Sequence, residues 1–119
     1  MNKFLVFLVI GLLGLSNCSK APKKWTVKYQ LLNVGKETPV YRVRYLLQNG
    51  SVKLVGPINT YNWESEELPE FESGSPASVE IEIISGKGTY QLIILRDGAF
   101  HEREVMPENS PSFKIEANI

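Results

Sequence analysis

A single cysteine and a single histidine are all the thiol and imidazole chemistry that these 119 residues offer. One cysteine, Cys18, rules out a disulfide within the chain, so the fold has to hold by packing alone. With one histidine, a zinc site would have to lean on carboxylates. The glutamates of residues 65–76 lack the spaced Asp/Asn–Gly ligand pattern of a calcium loop and read as a solvated acidic loop. No metal and no cofactor is expected. His101 stands among Phe100, Glu102, Arg103 and Glu104, with no elbow-type serine motif and no second thiol to activate, so the sequence reads as non-enzymatic. Neither sign of charge is in excess: 13 basic and 13 acidic side chains give a net charge of zero, which leaves no nucleic-acid footprint, and no nucleic-acid partner is expected.

Long apolar runs are scarce as well. The one at residues 4–15 is twelve residues of apolar side chains and glycine behind Asn2 and Lys3. It falls short of the roughly 20 residues that a spanning helix needs, and it has the length of the apolar region of an export signal. Cys18 closes this segment. The chain therefore divides into a signal segment over residues 1–17, Cys18 and a tether over 18–24, and a folded domain over 25–119. About one hundred residues suit one domain that buries roughly 60–70% of its unfolded-chain surface.

Leu15-Ser16-Asn17-Cys18 resembles the bacterial lipobox, with leucine three positions before the cysteine. The resemblance implies that the Cys18 thiol is diacylated, that the signal is cut before it and that the new amino terminus is acylated too. One acyl chain holds a protein only marginally, at about 10⁴ M⁻¹, whereas two or more hold it stably. Membrane lipid, reached through acylated Cys18, is thus an expected partner, and the periplasmic face of the cell envelope the expected location. Ser19, where an aspartate would retain similar lipoproteins at the inner membrane, points to the outer one. The tether reaches about 20 Å even when extended. Lys20, Lys23 and Lys24 read either as contacts to anionic lipid, each contributing about 1 kcal/mol, or as a solvated linker.

Beyond the tether the pattern is that of strands. Residues 25–31 alternate apolar and polar, and a second run sets Tyr41, Val43, Tyr45 and Leu47 against Arg42 and Arg44. Asn49-Gly50 suits a type I′ turn that opposes Leu47 to Val52 and Tyr45 to Leu54. Residues 58–63 read as a further or connecting strand. Val79, Ile81 and Ile83 alternate with glutamates, and Gly86-Lys87 offers a type II′ turn opposing Ile83 to Tyr90, Ile81 to Leu92 and Val79 to Ile94. Asp97-Gly98 marks another turn, leading into residues 99–105, and residues 113–116 close a sheet edge. About seven short strands with no helical period predict a small all-β antiparallel β-sandwich, with a small barrel as the alternative.

In this register Ile93 and Leu95 face away from Tyr90, Leu92 and Ile94, and the Asp97-Gly98 turn sets Phe100 beside Leu95. Ile93, Leu95 and Phe100 therefore form a candidate binding patch for a membrane partner or an acyl chain. The alternative is that residues 65–76 fold over them and bury Leu68 and Phe71 there. Val27-Lys28-Tyr29, Asn49-Gly50, Leu68-Pro69 before Gly74, the strand over residues 77–83, and Ile94 followed by Asp97-Gly98 together resemble the MmpS-like family of small membrane-anchored β-sandwich proteins, which implies that the sandwich of about seven strands is immunoglobulin-like. The resemblance implies an accessory role beside an envelope membrane protein such as a lipid exporter of the resistance-nodulation-division type. The expected function is a non-enzymatic, membrane-proximal binding or accessory module. The alternative is a carrier with an apolar cavity of roughly 300 Å³ or more between its sheets.

Overall fold

Tyrosine is what fills the space between two antiparallel sheets in this chain. The computed structural model describes residues 23–119; the signal over 1–17, Cys18 and the tether up to residue 22 lie outside the described residues. Nine strands follow in order: β1 (Lys24–Asn33), β2 (Val40–Leu46), β3 (Val52–Ile58), β4 (Trp63–Glu64), β5 (Leu68–Glu72), β6 (Pro76–Ser85), β7 (Tyr90–Arg96), β8 (Ala99–Val105) and β9 (Ser112–Asn118). One sheet has the order β9-β6-β2-β3. The other runs β4-β1-β7-β8, with β5 also pairing on β1. The all-β sandwich expected from the alternation is the fold. Among the described residues it holds nine strands rather than about seven, and β1 begins at Lys24, inside the segment assigned to the tether.

The alternating runs bury the residues that their period predicts. Val27, Tyr29 and Leu31 of β1 meet Tyr41, Val43 and Tyr45 of β2 across the core. The Tyr29 and Tyr45 rings pack at 5.3 Å between centroids with a tilt of 51°, and the Tyr41 and Tyr90 rings at 5.0 Å with a tilt of 50°, each pair joining the two sheets. A buried tyrosine needs an outlet for its hydroxyl. Tyr29 donates to the Leu46 carbonyl at 2.7 Å, Tyr41 and Tyr90 both donate to the Thr60 carbonyl at 3.0 Å, and Tyr45 donates to Glu66 Oε1 at 2.6 Å. Each ring thus packs as an apolar body while its hydroxyl reaches a fixed acceptor, the end of β2 for Tyr29 and a loop residue for the other three.

Three expectations give way. The turn at Asn49-Gly50 is one residue longer than the type I′ form. Gly50 alone takes a left-handed φ, 88°, and its N–H donates to the Leu47 carbonyl at 3.0 Å. Asn49 spends its side chain instead, accepting from the Ser51 N–H at 2.9 Å and the Ser51 hydroxyl at 2.6 Å. Leu46 then opposes Val52 and Arg44 opposes Leu54. A slip of one residue reverses the faces, so Val52 and Leu54 are exposed on the outer surface.

The second correction concerns the connection after Gly86. β6 and β7 form no hairpin: β6 lies between β9 and β2, and β7 between β1 and β8. Residues 86–89 carry the chain from one sheet to the other. An arch and a hairpin bury the same alternate residues, so periodicity does not distinguish them. Close packing shapes the crossing, since a Cβ on Gly88 would stand 2.5 Å from the Pro39 ring and 3.3 Å from the Tyr90 ring. Gly88→Ala is expected to cost about 1–3 kcal/mol by overpacking, measured as a lowered midpoint in urea. Gly35→Ala, whose Cβ would meet only ordinary contacts of 3.6 Å and longer, should stay within about 1 kcal/mol of the parent.

Third, residues 65–76 are not a solvated loop. β5 pairs with β1 there, matching Trp25 to Phe71 and Val27 to Leu68 with one extra residue on the β5 side. Glu70, at φ 70°, takes up that extra residue. Leu68 and Phe71 are three apart in sequence, yet the bulge brings both into the core. The Tyr45–Glu66 bond, with Lys53 Nζ 3.1 Å from Glu66 Oε2, clamps the approach to β5 against the opposite sheet.

Candidate functional site

The predicted patch lies on the outer face of the five-stranded sheet, at the β7–β8 hairpin. Its turn has the expected chemistry: Asp97 and Gly98 take φ 51° and 83°, and Arg96 opposes Ala99. Asp97 also fastens the turn to β1. It accepts from the Thr26 N–H at 2.9 Å and donates its own N–H to the Thr26 carbonyl at 2.8 Å. Leu95 therefore opposes Phe100.

Past that pair, β8 bulges. Leu95 matches Phe100 but Ile94 matches Glu102, which leaves His101 as the extra residue. The bulge has two effects. Arg103 falls on the same face as Phe100, and its guanidinium sits 4.4 Å from the ring centroid, a cation–π contact that also shields one face of the ring. His101 turns toward the neighbouring edge, where Nε2 donates to the Asn118 carbonyl at 2.8 Å. The lone histidine bridges the two sheets through main chain, an architectural task.

Of the three patch residues, Phe100 is 59% exposed, Leu95 is half-buried and Ile93 is fully buried. Ile93 is flanked in register by Gln30 of β1 and Arg103 of β8. Leu68 and Phe71 do not cover it, because they are spent on the core between the sheets. Beside Ile93, Glu64 accepts from Gln30 Nε2 at 3.2 Å and pairs with Lys28 at 3.3 Å, giving this part of the face a charged margin. A hollow of about 240 Å³ lined by Gln30, Leu32, Asn62, Trp63 and Glu64 lies there, below the roughly 300 Å³ at which small-molecule sites begin. The accessible apolar centre is thus Phe100 with Leu95, smaller than the three-residue patch.

Among the described residues no cluster of three or more His, Cys, Asp or Glu side chains is placed to hold a metal ion. No helix of the described residues is long and apolar enough to cross a membrane.

No protein-family model matches the chain, and no curated protein sequence matches it. Nothing in those comparisons identifies an MmpS-like family, so that likeness rests on the turn and core pattern of the sequence.

Proposed function

We propose that the chain is a lipid-anchored protein of the bacterial cell envelope whose β-sandwich works as a non-enzymatic binding or accessory module. The observation that carries this reading is the placement of the sole cysteine, three residues after the apolar run, in Leu15-Ser16-Asn17-Cys18. Acylation there would hold the domain within about 20 Å of the headgroups. The exposed Phe100 beside Leu95 supplies a surface on which a membrane protein partner would dock, and the MmpS-like pattern of strands and turns points the same way. A carrier role draws less support, because tyrosine pairs packed with the other core side chains occupy the space between the sheets.

Mass spectrometry of the chain gently extracted from its own membrane tests the anchor. The expected mass is that of a chain beginning at Cys18 with acyl groups attached. Cys18→Ser should remain uncut and unacylated. A parent chain recovered with an intact signal and no acyl group would sink the proposal. In the same extraction, Phe100→Glu is expected to lose any membrane protein that travels with the parent while keeping its acyl chains.

A further inference from the structure

The two ends of the sandwich differ. The chain enters at Lys24, and β1 runs about 30 Å along the sheet to Asn33. The turns at Gly50, Gly74 and Gly98 lie at the entry end. At the far end, residues 35–37, 83–89 and 108–111 surround an open cleft of about 530 Å³, within the range of ligand sites.

The walls of this cleft are held in place. Asn33, nearly buried, accepts from the Gly35 N–H at 2.8 Å and donates to the Glu37 carbonyl at 2.9 Å. Tyr61 donates its hydroxyl to the Gly35 carbonyl at 2.9 Å. The second wall is joined to the first where the Val34 N–H donates to the Thr89 carbonyl, and the third to the second where the Ile83 N–H donates to the Pro111 carbonyl, both at 2.8 Å. Such bonds preorganise a concave surface, which reduces the ordering cost of binding.

Its charges are unspent. Among the described residues, every lysine and arginine other than Lys36 and Lys87 has a carboxylate within 4 Å or an aromatic ring beneath it. Both exceptions line this cleft, together with Glu37 and Glu108, which also take part in none of the ion pairs among the described residues. Two cations attract an anionic group. Two carboxylates in the same walls repel a polyanion and favour a ligand that carries a positive group as well. Glycines at 86 and 88 leave main chain accessible for hydrogen bonding, and the four charged side chains in the walls disfavour an acyl chain or another wholly apolar ligand.

We infer that this cleft is a binding site for a short zwitterionic peptide, its carboxylate taken between Lys36 and Lys87 and its positive group toward Glu37 and Glu108. Capture of a terminal carboxylate by main-chain N–H groups is an established mode of peptide recognition, and a lysine on either side would add charge-assisted hydrogen bonds. In a chain tethered at Cys18 the site would face away from the bilayer, but the inference does not depend on the anchor.

The glycines provide the readout. In the full chain, solubilised in detergent and labelled with ¹⁵N only at glycine, Gly35, Gly86 and Gly88 report on the cleft, and Gly50, Gly74 and Gly98 on the opposite end. Titration with tetra-alanine bearing free termini is expected to move the first three signals saturably and leave the others in place. Tetra-alanine amide, which lacks the carboxylate, should bind at least about fivefold more weakly, as should the peptide to Lys36→Ala or Lys87→Ala. These lysines are exposed, so unshifted signals from Gly50, Gly74 and Gly98 verify that each variant is folded. The inference is overturned if the cleft glycines stay still up to about 20 mM peptide. Equal binding of the amide, or of inorganic phosphate, would overturn it too, since either shows that the peptide carboxylate is not what the site selects.

Discussion

Replacing Phe71 with alanine is expected to cost the domain about 3–5 kcal/mol, the range for deleting a buried phenylalanine. In a domain of about one hundred residues this lowers the melting temperature by more than about 10 °C. The side chain is 1% exposed and sits opposite Trp25 on the edge of β1. Its loss would leave a cavity next to Leu68 that the clamped backbone cannot close. Glu66 is fixed by Tyr45 and Lys53 on one side, and on the other the Ser73 N–H donates to the Lys23 carbonyl at 2.9 Å. Glu67→Ala, at an exposed position in the same segment, should change stability by less than about 0.5 kcal/mol. Equilibrium unfolding in urea separates the two. A Phe71→Ala protein as stable as its parent would return residues 65–76 to the solvated loop that their composition suggests.

That contrast shows where the sequence was informative and where it was not. Strands β1, β2 and β6 were legible because strict alternation places every second side chain in the core, and the Asp97-Gly98 turn because two consecutive left-handed residues suit few other structures. β5 was hidden by its own bulge. With Glu70 in the left-handed region, Leu68 and Phe71 share a face at a spacing of three, which matches no strand period. The connection at Gly86 failed for a different reason. Alternation reports which face a residue occupies, not which strand lies beside it, so Ile81 and Leu92 are both buried whether or not β6 and β7 pair. The uninterrupted run Leu92-Ile93-Ile94-Leu95 carried a hint, since a strand flanked on both sides and covered on both faces needs no alternation.

The candidate patch was legible to the same degree. Turn chemistry put Phe100 beside Leu95, as found, but the bulge at His101 has no sequence signature, and it is the bulge that brings Arg103 over the Phe100 ring. The far cleft had no signal at all. Its residues come from three loops, with Lys36 and Lys87 far apart in sequence, and their common feature is the lack of a partner, which only the three-dimensional arrangement reveals.

The second large effect is on alkaline stability. Burial holds the phenols of Tyr29, Tyr45 and Tyr90 well above their ordinary value near 10, and for Tyr45 the adjacent Glu66 carboxylate adds to it. In the unfolded chain these groups lose their protons near pH 10, whereas the folded chain keeps them. The native state then binds more protons than the unfolded state, so stability is fully present below pH 10 and falls as the pH rises, by at most about 1.4 kcal/mol per pH unit for each phenol. With three such groups, a domain of ordinary stability should unfold cooperatively one to three pH units above that point. Tyrosinate absorbance and near-ultraviolet circular dichroism are expected to change together. Tyr90→Phe sharpens the test. Tyr41 still donates to the Thr60 carbonyl in that variant, so stability at neutral pH should drop by no more than about 1 kcal/mol. One ionisable buried group fewer should move its alkaline midpoint upward. Glu66 works in the opposite direction, because the Tyr45 hydroxyl, ahead of Lys53, lowers its carboxyl. Its contribution is present above the ordinary carboxylate range and lost as the pH falls through its lowered value, and it is small because the group is largely in water. Phenols that titrate near pH 10 with the dichroism unchanged would mean that the tyrosine pairs between the sheets are open to solvent.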